Sequence, residues 1–174
     1  MKILVIVAHP DDEVLGMGGT ILKHSKKGDN VTVAYLTTGI TARRSLDYSN
    51  SSSYNFLEDD FKKNKKQILE LQNDAKKSSK ILGVKKTIFL DLPDNELDTV
   101  PLLKIVKIIE KIISREKPDI VYTSHSKDLN IDHRITCDAT VTACRPSSFF
   151  IKEILSFEIF SSTEWTFSYD FKPN

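Results

Sequence analysis

Near the start of the chain, "VIVAHPDDEVLGMGG" runs from Val5 to Gly19, and its apolar opening breaks into His9, Pro10, Asp11, Asp12 and Glu13. A surface loop tolerates such a cluster of titratable side chains, whereas a metal site needs one. A catalytic zinc ion takes three protein ligands from imidazoles and carboxylates and keeps one position open. The first cluster supplies an imidazole and several carboxylates but lacks a ligand from elsewhere in the chain. The best source is His133 in "DLNIDHRIT". With His9, His133 and one aspartate of the Asp11–Asp12 pair around one ion, the other aspartate would face the attacking water as general base. Each feature also has a simpler explanation on its own. His9 could be a hydrogen-bonded structural histidine, and Asp11 or Asp12 could cap the helix that begins near Glu13. Neither explains why both coincide with a second acidic histidine loop.

The elements that must position these residues alternate along the chain. "KILVIVA" is a continuous apolar run of strand length, and "NVTVAYLTT", "KTIFLDL" and "DIVYTS" read as further strands. Helical spacing marks "EVLGMGGTILKHSKKG", "FKKNKKQILELQNDAKKSSKILG", "TVPLLKIVKIIEKIISREKPD" and "DHRITCDATVTAC". In the third of these, Leu102, Ile105, Val106, Ile109, Ile112 and Ile113 share one face. The order predicts an α/β fold, a Rossmann-like, mostly parallel sheet with helices on both faces. Ligands of such sheets bind at the carboxyl edge, where "AHPDDE", "LTTG", "DLPDN" and "TSHSKDLNIDH" all fall. Gly16, Gly18 and Gly19 do not fit the G-x-G-x-x-G dinucleotide spacing, so close packing or substrate approach is the expected reason for them.

The chain's 174 residues suit a single domain over 1–174, and 40% hydrophobic with 28% charged residues is ordinary for a soluble globular protein. A net charge of +1 gives no field for nucleic acid or an anionic membrane, and no apolar run reaches the length of a transmembrane segment. "MKILVIVAHP" reads as a first strand rather than a signal peptide. Cys137 and Cys144 are expected to be small buried side chains, and two free thiols fit a reducing, cytoplasmic setting. "RRSLDYSNSSSYNFLEDD", over 43–60, reads as a polar surface loop that could shape the substrate entrance, "KKNKK" as a solvated helix face, and the aromatic-rich end as extra strand near the sheet edge.

"AHPDDEVLGMGG" followed by "DLNIDHRI" resembles the LmbE-like, or PIG-L, family of zinc-dependent N-acetylglucosamine deacetylases. "KGDNVTVAYLTTG", "ILGV", "FLDLPDN" and "KPDIVYTSH" occur in family order, so the resemblance extends to about Arg145. It implies that His9, Asp12 and His133 bind Zn2+, that Asp11 is the general base, and that Asp94 contacts sugar hydroxyls. The implied reaction is hydrolysis of the N-acetyl group of a small amino-sugar substrate, an N-acetylglucosamine-type glycoconjugate or nucleotide sugar. Two departures stand out. Asn130 occupies the place of a histidine common in the second motif; an asparagine can donate to an oxyanion but cannot titrate, leaving the proton role to His125. "LELQNDAKKSSKILGV" also lacks a family arginine, with Gln72 near its place. Members commonly continue past "FKPN", which makes this a short or truncated form. A non-catalytic sugar-binding or scaffold protein on the same fold is the rival reading, and self-association into a homo-oligomer stays open.

Overall fold

The computed structural model of the protein describes residues 1–40, 57–146, 151–160 and 162–165. The first apolar run forms β1 (Lys2–Val7), which lies between β2 (Asn30–Thr37) and β4 (Ile120–Ser124). β3 (Lys86–Leu92) flanks β2 and β5 (Glu153–Phe157) flanks β4, every pair being parallel. Among the described residues the sheet order is β3-β2-β1-β4-β5. β5 is the edge strand expected from the aromatic-rich end.

Alternation along β1 explains why its sequence is apolar throughout. Ile3, Val5 and Val7 face one layer, while Leu4 and Ile6 face the other. The first layer contains α1 (Asp12–Lys26) and α2 (Leu57–Leu82), which contribute Met17, Ile21 and Ala75. The second contains α3 (Leu102–Glu116) and α4 (Ile131–Ala143), which contribute Ile105, Val106, Ile109, Ile113 and Ala139. Full burial of a Leu or Ile side chain is worth about 1.5–3 kcal/mol, so this central strand anchors both layers.

The helical stripe of α3 is buried as expected except at Leu102, which is 45% exposed at the first helical position. α2 begins at Leu57, four residues before the expected Phe61, while 43–56 of the expected entrance loop lie outside the described residues. Cys137 and Cys144 are buried and unpaired, and burial pushes their thiols up to about 11 and about 12, so they pack as small apolar groups. No described helix is long and apolar enough to cross a membrane.

The strand order also places the site. From β1 the chain winds outward to β2 and β3, then returns past β1 to β4 and β5. The loops after β1 and β4 therefore leave neighbouring strands in the crevice where the winding direction reverses. Those loops carry His9 and His133.

Candidate metal centre

Just past β1, the Ala8 carbonyl accepts both the Thr37 N–H at 2.9 Å and the Thr37 hydroxyl at 3.0 Å, which pins the strand end. The His9 carbonyl then accepts from the Asp11 N–H at 3.0 Å, so the chain turns tightly over Pro10. Gly39 packs against this turn with φ at +71°, and a Cβ there would lie 2.7 Å from the Pro10 ring. Asp11 holds the N-cap position of α1, yet its side chain makes no capping bond. Asp12 instead folds back and accepts the His9 N–H on Oδ2 at 2.8 Å. The two neighbouring carboxylates thereby point apart.

After β4, the Ser124 hydroxyl donates to the His133 carbonyl at 2.9 Å, and Asn130 starts α4 by accepting the Asp132 N–H on its side-chain oxygen at 2.8 Å. Asp132 is fully buried and accepts the backbone N–H groups of Asn95 at 2.6 Å and Leu97 at 3.0 Å. Asn95 has φ at +54°, the left-handed region that asparagine tolerates better than most residues. This conformation joins the loop after β3 to the start of α4.

The side chains converge from these three loops. His9 Nδ1 lies 3.2 Å from His133 Nε2, and Asp12 reaches both rings, Oδ2 to His9 Nδ1 at 3.4 Å and Oδ1 to His133 Nε2 at 3.2 Å. On the other side of its ring, His9 Nε2 lies 3.1 Å from Asp94 Oδ1 and 3.3 Å from Asp132 Oδ2. His133 Nδ1 faces Asp128 Oδ1 at 3.1 Å. Ligand atoms of His9, Asp12 and His133 lie within 4.8 Å of one another, as do those of His9, Asp94 and Asp132.

The electrostatics fit a cation. Burial works against protonation of His9, but Asp12, Asp132 and Asp94 outweigh it and hold the ring well above the ordinary imidazole range. His133 is likewise raised to about 9, with Asp12 and Asp128 overcoming burial. Asp12 is held far below the carboxylate range because its bonds to His133 and His9 outweigh its desolvation. The two ring nitrogens face each other at 3.2 Å beside a shared carboxylate, a contact that one ring N–H can bridge in the absence of an ion. A divalent ion would meet the same three donors already turned inward. The His9, Asp12 and His133 set therefore fits a metal such as zinc.

Asp11 differs from its neighbour. Its side chain is solvent-accessible on a cleft of about 170 Å³ shared with His9, Pro10, Gly39, Leu71, Asp94 and Asn95. Desolvation and then the Asp12 charge raise its pKa, the direction that suits a base. Glu13, the third acid of the cluster, turns into the core instead: it is fully buried, receives the Tyr35 hydroxyl at 2.8 Å and is pushed up to about 7 by burial.

Of the other residues singled out in the sequence, Asp94 is buried beside His9. Asn130 caps α4 and donates its amide to the Asn95 side-chain oxygen at 3.1 Å. His125, at the end of β4, accepts the Lys127 N–H on Nδ1 at 3.3 Å and belongs to neither donor group. Gly16 is explained by close packing: a Cβ there would strike the Phe157 ring and lie 2.8 Å from the Glu158 carbonyl. Gly18 and Gly19 meet open space. Sequence reasoning gave no role to Asp128, Asp132, Ser162 or Thr163, although Asp128, Asn130 and Asp132 alternate just before His133.

The GlcNAc-PI de-N-acetylase (PIG-L) family matches residues 4–144, and the chain belongs to this family. It is 30% identical over 161 residues to the uncharacterized deacetylase YaiS of Escherichia coli K12, covering 90% of this chain and 72% of that protein. Similarity to the diacetylchitobiose deacetylase of Thermococcus kodakarensis is 33% over 120 residues, covering 69% of this chain and 39% of the relative. The solved N,N'-diacetylchitobiose deacetylase from Pyrococcus horikoshii, complexed with its inhibitor MPG, superposes with a TM-score of 0.64 at 29% identity. That match covers 85% of this chain and 52% of the other, so the chain spans about half or less of the two diacetylchitobiose deacetylases.

Proposed function

We propose that the protein is a zinc-dependent N-deacetylase that hydrolyses the acetamide of an N-acetylated amino sugar to acetate and the free amine. The observation that carries this reading is the convergence of His9, Asp12 and His133 beside a cleft that Asp11 lines. Two imidazoles and a carboxylate favour zinc over magnesium or calcium, which prefer all-oxygen shells. When bound, the ion supplies Lewis acidity that polarises the amide carbonyl and lowers the pKa of water.

The chain's own groups do the rest. Asp11 takes a proton from the attacking water and passes it to the leaving nitrogen. Asp94, fixed beside His9 at the cleft wall, orients sugar hydroxyls. Asn130 can donate to the developing charge on the carbonyl oxygen by exchanging Asn95 for substrate, while His125 is a second source for the proton passed to the amine. Membership in the de-N-acetylase family and similarity to proteins named diacetylchitobiose deacetylase support an N-acetylglucosamine-type substrate.

The test is acetate release by zinc-loaded protein from N-acetylglucosamine, N,N'-diacetylchitobiose and UDP-N-acetylglucosamine. Release from at least one of them, abolished by chelator, is the expected result. Sugar binding without acetate release would replace the enzyme by a sugar-binding protein, a reading that the engagement of Asn130 by Asn95 favours.

A further inference from the structure

His133 has two ring nitrogens with different surroundings. Nε2 faces Asp12 and His9, whereas Nδ1 faces Asp128. Asp128 is 1% exposed and its carboxylate is occupied on every side. Oδ1 receives the Asn130 N–H at 2.8 Å and the His133 ring at 3.1 Å. Oδ2 receives the Ser162 hydroxyl at 2.9 Å and the Thr163 hydroxyl at 2.7 Å. The Ser162 oxygen also lies 3.4 Å from His133 Nδ1. The segment after β5 is tied down beside this carboxylate: the Leu129 N–H donates to the Ser162 carbonyl at 3.0 Å, and Thr163 and Ile159 bond each other in a closed turn. On the opposite flank, Arg134 Nη1 donates to the carbonyls of Asp128 and Leu129 at 2.7 and 2.6 Å.

We infer that Asp128, Ser162 and Thr163 form a positioning clasp for His133, so that metal affinity is set partly by the segment after β5, outside the family-matched residues 4–144. The inference rests on the proposed metal-binding role of His9, Asp12 and His133. A carboxylate on Nδ1 keeps the proton on that nitrogen, leaves the Nε2 lone pair for the metal and raises its basicity. A carboxylate with four donors does not rotate, so the ring does not either. The two hydroxyls matter because each fixes Asp128 Oδ2 from the segment after β5. Asp128 thus acts through His133 without touching substrate.

The experiment is zinc affinity by competition with a chelator, combined with nitrogen NMR of the His133 ring in the zinc-loaded protein. Asp128→Asn keeps an acceptor but removes its charge, and zinc affinity should fall about 10- to 100-fold. Ser162→Ala deletes a single hydroxyl from a half-buried side chain, so the fold is not at risk. Its affinity should drop roughly tenfold, the lower end for outer partners of metal ligands, with faster solvent exchange of the Nδ1 proton. Thr163→Val should behave likewise, and Thr163→Ser should recover wild-type affinity and ring signals. Affinities within about twofold of wild type, with unchanged ring signals, would reduce Asp128 to a staple for the loop and overturn the clasp alone. Failure of the wild-type chain to take up zinc would overturn the clasp together with the metal-binding reading.

Discussion

Two adjacent carboxylates sit in opposite surroundings at the centre of the site. Asp12 is buried, bonded by the His9 backbone and by both rings, and held ionised; Asp11 points to the cleft with its pKa raised by desolvation. A buried anion with two histidine partners suits the proposed role of ligand, while a partly desolvated, accessible carboxyl suits that of base. Asp12→Asn swaps an anionic donor for a weak neutral one. Zinc content and activity should fall together, with partial recovery at high zinc. Asp11→Asn leaves the three converging donors intact, so the metal should stay while turnover drops by roughly two to four orders of magnitude, the usual worth of a positioned base. Elemental analysis beside initial rates separates the two. Loss of metal from Asp11→Asn with retention in Asp12→Asn would reverse the roles.

At the scale of elements, the glycines of α1 show how one helix serves both the site and the sheet. Met17 breaks helical geometry with φ −145° and ψ 22°, so α1 is kinked in the middle of "LGMGG". Gly16 permits the end of β5 to lie against the helix, with the Phe157 ring and the Glu158 backbone where a Cβ would be. The ring could shift, but the carbonyl belongs to the chain leading into the Ser162–Thr163 turn. Gly16→Ala should therefore destabilise by about 1–3 kcal/mol, as overpacking does. Gly19 has nothing within 4 Å of its missing Cβ, so Gly19→Ala should stabilise by roughly 0.5–1 kcal/mol through reduced chain entropy. Thermal midpoints of both variants check this pair. A neutral Gly16→Ala would mean that β5 does not press on α1. The period of the apolar residues made such helices and strands legible in the sequence, because burial on one face or both leaves a periodic trace. It could not show that Leu102 would be exposed at the start of α3, since periodicity says which residues share a face and not where the neighbouring layer stops.

The whole molecule explains which parts of the site could be read in advance. The alternation of strands and helices implied the parallel sheet, and the sheet's carboxyl edge implied the loops. His9, Asp11, Asp12 and His133 lie in short contiguous stretches, so a cluster of imidazoles and carboxylates could be expected from local composition. Asp128 meets its hydroxyl partners across 34 and 35 residues of sequence, and Asp132 reaches back 35 and 37 residues to the loop after β3. Those pairings exist only once β5 and the loop after β3 have docked, and no local pattern announces them. Docking gathers the carboxyl groups of Asp11, Asp12, Asp94, Asp128 and Asp132 around two imidazoles. On the proposed metal-binding role, a divalent ion should hold this cluster together better than protons do. An ion at a thousandfold excess over its dissociation constant stabilises the folded state by about 4 kcal/mol. For a domain of this size that should raise the thermal midpoint by roughly 8–16 °C over the chelated protein. Zinc should restore the midpoint after chelation, whereas magnesium should not, because the donors include two imidazole nitrogens. Equal midpoints in chelator and in excess zinc would show that the cluster is satisfied by protons alone.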